Sequence, residues 1–124
     1  MYALRGAIGV DADTVEAIEA ASAEVVRVLF EDNDLRAENV VSAVFTSTPD
    51  LKAAYPATGA RRALLSETPV LSACEVDVPG GAPQILRVLL HIDGARPAHV
   101  HHAFLGRGAM LRPDLESISG SDRP

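Results

Sequence analysis

The stretch Ile85-Leu86-Arg87-Val88-Leu89-Leu90 places one arginine inside an otherwise apolar run. The run has the length and composition of a buried strand. Because a guanidinium buried without a partner is very costly, Arg87 needs a neighbouring acid or a bound anion. Two other apolar, strand-like stretches also carry an isolated charge, Arg5 in one and Glu75 in the other. Together these charges predict a small, dry pocket for an anionic molecule.

Hydrophobic periodicity places five strands and one long helix along the chain. The predicted strands are 2–9, 40–46, 70–78, 85–92 and 100–105. The long helix is predicted from Thr14 to Glu31, because its apolar residues step by three and four and Asp13 or Thr14 can cap it. Further helical segments are predicted at 58–65 and, as a single turn, at 109–112.

These elements predict an α+β fold, a five-stranded mixed sheet packed on one long helix plus short helices. A single helix covers only one face of a sheet. Val88, Leu90 and Ile92 are interpreted as an apolar second face, so we expect that face to be buried against other subunits. By length the 124 residues make one domain, and we expect 116–124 to be a mobile tail.

Composition excludes several classes of partner. A formal net charge of −6 argues against nucleic acid and against anionic membranes. No apolar run approaches the roughly 20 residues of a membrane span. Met1 leads directly into a strand-like stretch, and a lone cysteine cannot form an internal disulfide, so we expect a cytoplasmic protein.

Other reactive side chains are weaker candidates. Cys74 has no histidine near it in sequence, and we expect a small buried residue rather than a nucleophile. The segment His99-Val100-His101-His102 has no adjoining acid or cysteine, so we expect no metal there. Arg87 itself has a second interpretation, a permanent structural ion pair with Glu75 or Asp77. Arg5 has one too, since it can snorkel from the end of its strand.

Taken together, the motifs resemble those of a known family. The matching fragments are Leu4-Arg5-Gly6-Ala7, Ser47-Thr48-Pro49-Asp50-Leu51, Tyr55-Pro56-Ala57 with Arg61, Pro69-Val70, Glu75-Val76-Asp77-Val78, Gly80-Gly81 with Ile85-Leu86-Arg87-Val88, and Leu111-Arg112-Pro113-Asp114-Leu115. In this order and spacing, from residue 3 to about residue 116, the chain resembles the monofunctional chorismate mutases of the AroH class, the trimeric α/β-barrel kind.

The resemblance implies a homotrimer with active sites in the clefts between subunits. It implies isomerisation of chorismate to prephenate, a [3,3]-sigmatropic (Claisen) rearrangement in phenylalanine and tyrosine biosynthesis, without metal or cofactor. Arg87 matches the guanidinium that faces the ether oxygen as the C–O bond breaks. Arg5 matches the arginine that holds a substrate carboxylate, and Glu75 matches the acid that accepts from the ring hydroxyl.

The resemblance also implies a set of residues that bind the substrate around these three. They are Tyr55, Ala57, Thr58, Arg61, Val70, Leu71, Ser72, Phe104, Leu111 and Arg112. Three of them depart from the family pattern: Phe104 replaces a tyrosine, Thr58 replaces a lysine and Ser72 replaces a cysteine. These departures put substrate affinity in doubt more than activity.

Two alternatives remain open from the sequence. One is an imine deaminase of the RidA type, which also uses an arginine at a subunit cleft but whose arginine-containing segments do not match here. The other is a non-catalytic trimer that binds a small acid. Charges at both ends of a breaking bond, Arg87 and Glu75, are more than a binder needs.

Overall fold

The strands and helices fall close to their predicted places. The computed structural model describes residues 1–106, and the predicted turn at 109–112 and tail at 116–124 lie outside them. The elements are β1 (Tyr2–Gly9), α1 (Val15–Asp32), a turn of 3-10 helix (Ala37–Asn39), β2 (Val40–Ser47), α2 (Thr58–Ala63), β3 (Val70–Cys74), β4 (Ile85–Ile92) and β5 (Ala103–Leu105). No helix among them is long and apolar enough to cross a bilayer.

The five strands form one mixed sheet in the order β3-β2-β4-β1-β5. The central strand β4 runs antiparallel to both β1 and β2, and the short edge strands are parallel to their neighbours. This confirms the predicted α+β architecture. In the register of the sheet, Arg87 lies between Ala7 on one side and Thr46 on the other. The charged residue of β4 is therefore at the middle of the sheet.

Side chains cap both ends of helix α1. The hydroxyl of Thr14 accepts a hydrogen bond from the Ala17 N–H at 3.1 Å, which is the N-cap contact expected for this residue type. Asn33 closes the other end, because its backbone and side-chain N–H groups both donate to the Leu29 carbonyl. Asp13, the other predicted cap, instead accepts from the backbone N–H groups of Lys52 and Ala53.

The core lies between α1 and one face of the sheet. Gly6 of β1 allows the close approach, since a Cβ there would lie 2.7 Å from Val25 and 3.0 Å from Val88. Val88, Leu90 and Ile92 belong to this core. Their prediction as a second apolar face is wrong, because strand alternation turns them towards the helix and turns Arg87 away from it.

Helix α2 packs tightly on α1. A Cβ on Gly59 would lie only 2.0 Å from the carbonyl oxygen of Glu19, so only glycine fits at this contact. Next to it the Ser22 hydroxyl accepts the Ala60 N–H at 3.0 Å, which satisfies both buried polar groups. Helix α2 is thereby attached to the helix layer and not to the opposite face of the sheet.

Two predicted strands are shorter than expected. β3 ends at Cys74 and not at residue 78, because its partner β2 ends at Ser47 and Pro49 then has no N–H to extend the ladder. β5 begins at Ala103 and not at residue 100. Its pairing with β1 starts at Gly6, since the Arg5 N–H donates to the ring of His102 instead of to a strand carbonyl.

The face of the sheet opposite α1 has no covering layer in the described chain. We call it the open face, and it carries the side chains of Arg5, Val44, Leu71, Arg87 and Leu89. Leu71 is 63% exposed, and Val44 and Leu89 are half-buried. Aliphatic side chains thus lie beside two arginines on a surface that faces solvent.

Candidate active site

Arg87 and Glu75 form an ion pair on the open face. The Arg87 Nη1 donates to Glu75 Oε1, and the Thr46 hydroxyl donates to Glu75 Oε2 at 2.6 Å. The side chains of Arg87 and Glu75 are 26% and 20% exposed, so each keeps some access to solvent. The ion pair that the second interpretation of Arg87 predicts is therefore present. Whether Arg87 can also contact a small molecule depends on the space beside its guanidinium.

A groove of about 560 Å³ adjoins the pair, and both charged side chains line it. The chain 76–83 makes most of the remaining wall and is exposed throughout. The dry pocket expected from the sequence is thus an open groove in the single chain. Arg87 is not sealed against an internal acid, because its guanidinium borders space that a small molecule can enter. A fixed cation in that position can stabilise an oxygen that gains negative charge.

The charges around the groove do not favour an anion by themselves. Its lining includes the bases Lys52 and Arg87 but also the acids Asp50, Glu75 and Asp77. The groove wall of one chain therefore supplies more negative than positive charge to a bound molecule. Among the described residues that line the groove, neither Arg5 nor Arg61 is present.

The start of β4 is held by the Ser47-Thr48-Pro49-Asp50-Leu51 motif. The Thr48 hydroxyl donates to Asp50 at 2.5 Å and accepts from the Ile85 N–H at 3.1 Å. Both carboxylate oxygens of Asp50 accept from the Gln84 N–H. Gln84 itself has a positive φ of 53°. These contacts end two residues before Arg87. The motif therefore fixes the backbone that carries the guanidinium into the groove.

Arg5 lies on the same face as Arg87 but points elsewhere. On β1 it lies two residues before Ala7, which is the register partner of Arg87. Its guanidinium carbon lies 6.0 Å from the centre of the Phe104 ring, within cation–π distance. Phe104 itself is buried beside Ala7 and Ile85. The structure thus brings Arg5 and Phe104 together, one strand away from the ion pair.

The binding residues predicted in the second half of the loop lie in the helix layer. Ala57 is buried, Thr58 opens α2, and Arg61 is exposed on that helix while its neighbour Arg62 pairs with Glu19. Tyr55 is 75% exposed. Tyr55 and Arg61 are thus exposed whereas Ala57 is not, and none of these side chains lines the groove of Arg87.

The three predicted residues of β3 divide between the two faces. Ser72 pairs in register with buried Phe45, and its hydroxyl accepts the Ala57 N–H at 3.3 Å. Val70 also packs against the core, whereas Leu71 points from the open face. β3 is therefore the strand that links the two groups of predicted residues.

Within one chain the predicted site is divided into two half-sites. The charged half-site consists of Arg5, Glu75, Arg87 and Phe104 on the open face. The loop half-site consists of Tyr55, Ala57, Thr58, Arg61 and Ser72 in the helix layer. None of the loop half-site side chains lines the groove of Arg87, so within one chain the two half-sites do not share that groove. Leu111 and Arg112, the remaining predicted residues, lie outside the described residues.

The exposure of Cys74 corrects one prediction about a reactive group. Cys74 is exposed, so its prediction as a small buried residue is wrong. It is the last residue of the edge strand β3, where no further strand covers it. Over residues 1–106 no cluster of three His, Cys, Asp or Glu side chains is arranged to hold a metal ion.

Sequence reasoning missed Thr46, Asp50 and Lys52 as neighbours of the charged pair. Thr46 reads as an ordinary strand threonine, and only the pairing of β2 with β4 shows that it opposes Arg87. Asp50 belongs to a motif that the resemblance had already singled out, so a signal existed without an assigned role. Lys52 follows directly from that motif and lines the groove.

Comparisons with known proteins agree over nearly the whole chain. The family model for chorismate mutase type I matches residues 1–115. The chorismate mutase AroH of Thermus thermophilus is 42% identical over 116 residues, which cover 92% of this chain and 95% of the relative. The chorismate mutase AroH of Bacillus subtilis (strain 168) is 33% identical over 121 residues, which cover 96% and 95%. A solved chorismate mutase from Clostridium thermocellum superposes with a TM-score of 0.75 at 32% identity, covering 83% of this chain and 96% of that one.

Proposed function

The chain belongs to the chorismate mutase type I family and is an isomerase, and from this premise we propose that Arg87 stabilises the transition state as chorismate becomes prephenate. The observation that carries the proposal is the Arg87 guanidinium beside a groove of about 560 Å³. The family match covers residues 1–115, which supports one domain over that range. It leaves the imine-deaminase and binding-module alternatives without support.

The reaction explains why an arginine is needed and why a nucleophile is not. In the [3,3] rearrangement the C–O bond breaks ahead of C–C bond formation, so negative charge gathers on the ether oxygen. A fixed guanidinium at that oxygen binds the transition state more tightly than the substrate, and only such differential binding raises kcat. The groove is open in the single chain, and covering it against water would strengthen the effect. No proton has to be moved by the protein.

Glu75 and Arg5 supply the remaining charges in this proposal. Glu75 accepts from the ring hydroxyl of chorismate and faces the ring as it becomes partly positive. Arg5 holds a carboxylate and favours the compact conformer, which is a proximity effect. Its guanidinium rests over Phe104 in the free chain, so it must leave that ring or turn beside it when substrate binds. Phe104 is the wall where a tyrosine would donate a hydroxyl.

The active enzyme is proposed to be a homotrimer with sites between subunits. Two observations support this. The loop half-site does not line the groove of Arg87 in one chain, so we infer that a complete site combines the charged half-site of one copy with the loop half-site of another. The open face also exposes Leu71 and leaves Val44 and Leu89 half-buried, a surface that a second copy would cover.

Charge gives independent support for a shared site. The groove wall of a single chain holds more acidic than basic side chains. Arg61 of a neighbouring copy, together with Arg112, would add the positive charge that a dianion requires. Tyr55, Ala57, Thr58 and Ser72 would arrive on the same neighbouring loop and strand. Chorismate is thus the small-molecule partner, and a cytoplasmic location fits the lone exposed Cys74.

The direct test is loss of chorismate, followed by its ultraviolet absorbance, on addition of the purified protein. We expect turnover well above the spontaneous rate, at the same value with and without a chelator, because the chemistry uses only fixed charges. Product identity is checked by acid conversion of prephenate to phenylpyruvate. Chorismate loss no faster than in buffer would reject the function.

A further inference from the structure

Thr46 lies between the two charged residues of the site. On one side it is the register partner of Arg87 in β4. On the other side it is the register partner of Ala73 in β3, two residues before Glu75. All three side chains point from the open face. No family motif quoted above includes Thr46, and the chemistry of the rearrangement assigns it no role.

The Thr46 hydroxyl divides the Glu75 carboxylate between two partners. It donates to Oε2 at 2.6 Å, while Oε1 accepts from Arg87. The backbone N–H of Glu75 is held separately by the Ser47 carbonyl at 2.9 Å. Glu75 is therefore anchored to β2 by contacts that do not involve Arg87. An arginine and a carboxylate otherwise prefer a forked pair with two parallel hydrogen bonds.

We propose that Thr46 is a positioning residue that keeps Glu75 from forming the forked pair with Arg87, an inference that rests on the function proposed above. With Oε2 occupied by the hydroxyl, the carboxylate engages Arg87 through one oxygen only. The other guanidinium N–H groups stay available to the substrate oxygen. When the substrate enters, Thr46 also retains Glu75 at the groove wall, where its released oxygen can accept the ring hydroxyl.

Loss of the hydroxyl has a defined consequence. Without it, Glu75 rotates and covers two donors of Arg87, and the guanidinium is neutralised before the substrate arrives. The transition state then loses part of the charge that it depends on, whereas substrate carboxylates still find Arg5 and Arg61. The effect should fall on kcat and leave KM nearly unchanged.

Thr46→Val and Thr46→Ser form the test. Valine keeps the branched shape that suits a strand and removes only the hydroxyl, and serine restores it. A hydrogen bond to a charged group predicts that Thr46→Val lowers kcat roughly ten- to a hundredfold, with KM within about twofold of wild type. Thr46→Ser should keep kcat within about threefold of wild type, on the same reasoning. Thr68→Val, a threonine that does not line the groove, is the matched control and should retain wild-type kcat.

Three results would overturn the inference. One is full kcat in Thr46→Val. Another is an equal loss in the valine and serine variants, which would mean that shape and not the hydroxyl matters. The third is a lower kcat in Thr46→Val that tracks a lower melting temperature, since that would indicate a structural role only.

A second measurement separates this inference from the function on which it rests. Crystal structures of the wild type and of Thr46→Val compare the orientation of Glu75 directly. We expect two contacts between Glu75 and Arg87 in the variant and one in the wild type. If the wild type does not consume chorismate, the function fails, and the crystal structures still decide the role of Thr46. An unchanged Glu75 in the variant would contradict it.

Discussion

The two faces of the central strand β4 differ in what their side chains accomplish. Leu90 points towards α1 and is fully buried in the core, whereas Leu89 points from the open face and is half-buried. Two residues earlier on β4 the same contrast occurs, because Val88 points towards α1 and Arg87 points from the open face. The helix face is apolar and closed, and its packing holds the sheet together. The open face combines charges with aliphatic side chains that no element of the described chain covers, and we propose that another copy covers it.

The largest expected effect tests whether the site really is shared between copies. Arg87→Ala removes the charged half-site, and Arg61→Glu repels the dianion from the loop half-site. Each variant alone should be close to inactive. Mixed after joint refolding, they should regain roughly a quarter of wild-type activity, because about one interface in four then pairs two intact halves.

The control for this mixture is each variant refolded alone at the same total concentration. Activity in the mixture that stays at the level of the single variants would place both half-sites in one chain and refute the contrast between the faces. Thr68→Val refolded with Arg87→Ala controls for dilution, because it contributes a complete second set of residues.

Leu90→Ala and Leu89→Ala compare the two faces at adjacent positions. Leu90→Ala should lower the free energy of unfolding by about 2–5 kcal/mol, since it leaves a cavity in the core. Leu89→Ala leaves no cavity in the single chain and should instead weaken association of the subunits. Denaturant unfolding measures the first effect, and sedimentation as a function of concentration measures the second. Equal loss of stability from both variants would mean that the open face is packed like the core.

Gly59→Ala tests the layer that carries the loop half-site. The added Cβ would meet the Glu19 carbonyl oxygen, so α2 must move away from α1. We expect a destabilisation of about 1–3 kcal/mol, typical of overpacking, with a higher KM for chorismate. Ala63→Gly on the exposed end of the same helix is the control for helix propensity alone. Full stability and unchanged KM in Gly59→Ala would show that the contact is unimportant.

Phe104→Tyr is expected to have the smallest effect. It restores the hydroxyl that the family pattern has at this position. The added hydrogen bond should strengthen substrate binding by about 0.5–1.5 kcal/mol, which lowers KM about two- to tenfold. Because Phe104 is buried beside Ala7 in the described chain, the hydroxyl must reach the substrate past Arg5. An unchanged or raised KM would place this ring away from the substrate carboxylate.

Much of the architecture could be predicted because each element carries its own local signal. The apolar run with its central arginine predicts β4 within the bounds that the structure has, Ile85–Ile92. The Thr14 cap and the three-four spacing predict α1 within one residue at each end. The isolated charges in apolar strands also identify the pair that the structure brings together, Arg87 and Glu75.

What failed depended on partners distant in sequence. The end of β3 at Cys74 depends on where β2 stops, and the start of β5 depends on a bond between Arg5 and His102. Strand alternation predicts that Val88 and Arg87 lie on different faces of the sheet, but the sequence does not say which of the two faces packs against the helix. Gly6, which lets α1 approach β1, decides that question.

The division into half-sites was not predictable from residue types. Ser72 and Leu71 are adjacent on β3, yet one points towards the helix layer and the other from the open face. The resemblance groups both with Arg87, because it identifies residues of the site and not the face of the sheet on which each one lies. Thr46 escaped notice for a related reason, because its importance comes from register and not from its type.

The kcat of Arg87→Lys, measured beside that of Arg36→Lys, tests the central claim most directly. Lysine keeps the positive charge but not the planar fork, and Arg36 is an exposed arginine paired with Glu38 away from the groove. The account predicts that Arg87→Lys loses roughly a hundred- to a thousandfold in kcat, as for one lost oxyanion donor, with an unchanged melting temperature. Arg36→Lys should match the wild type. Full turnover in a folded Arg87→Lys protein would contradict the account.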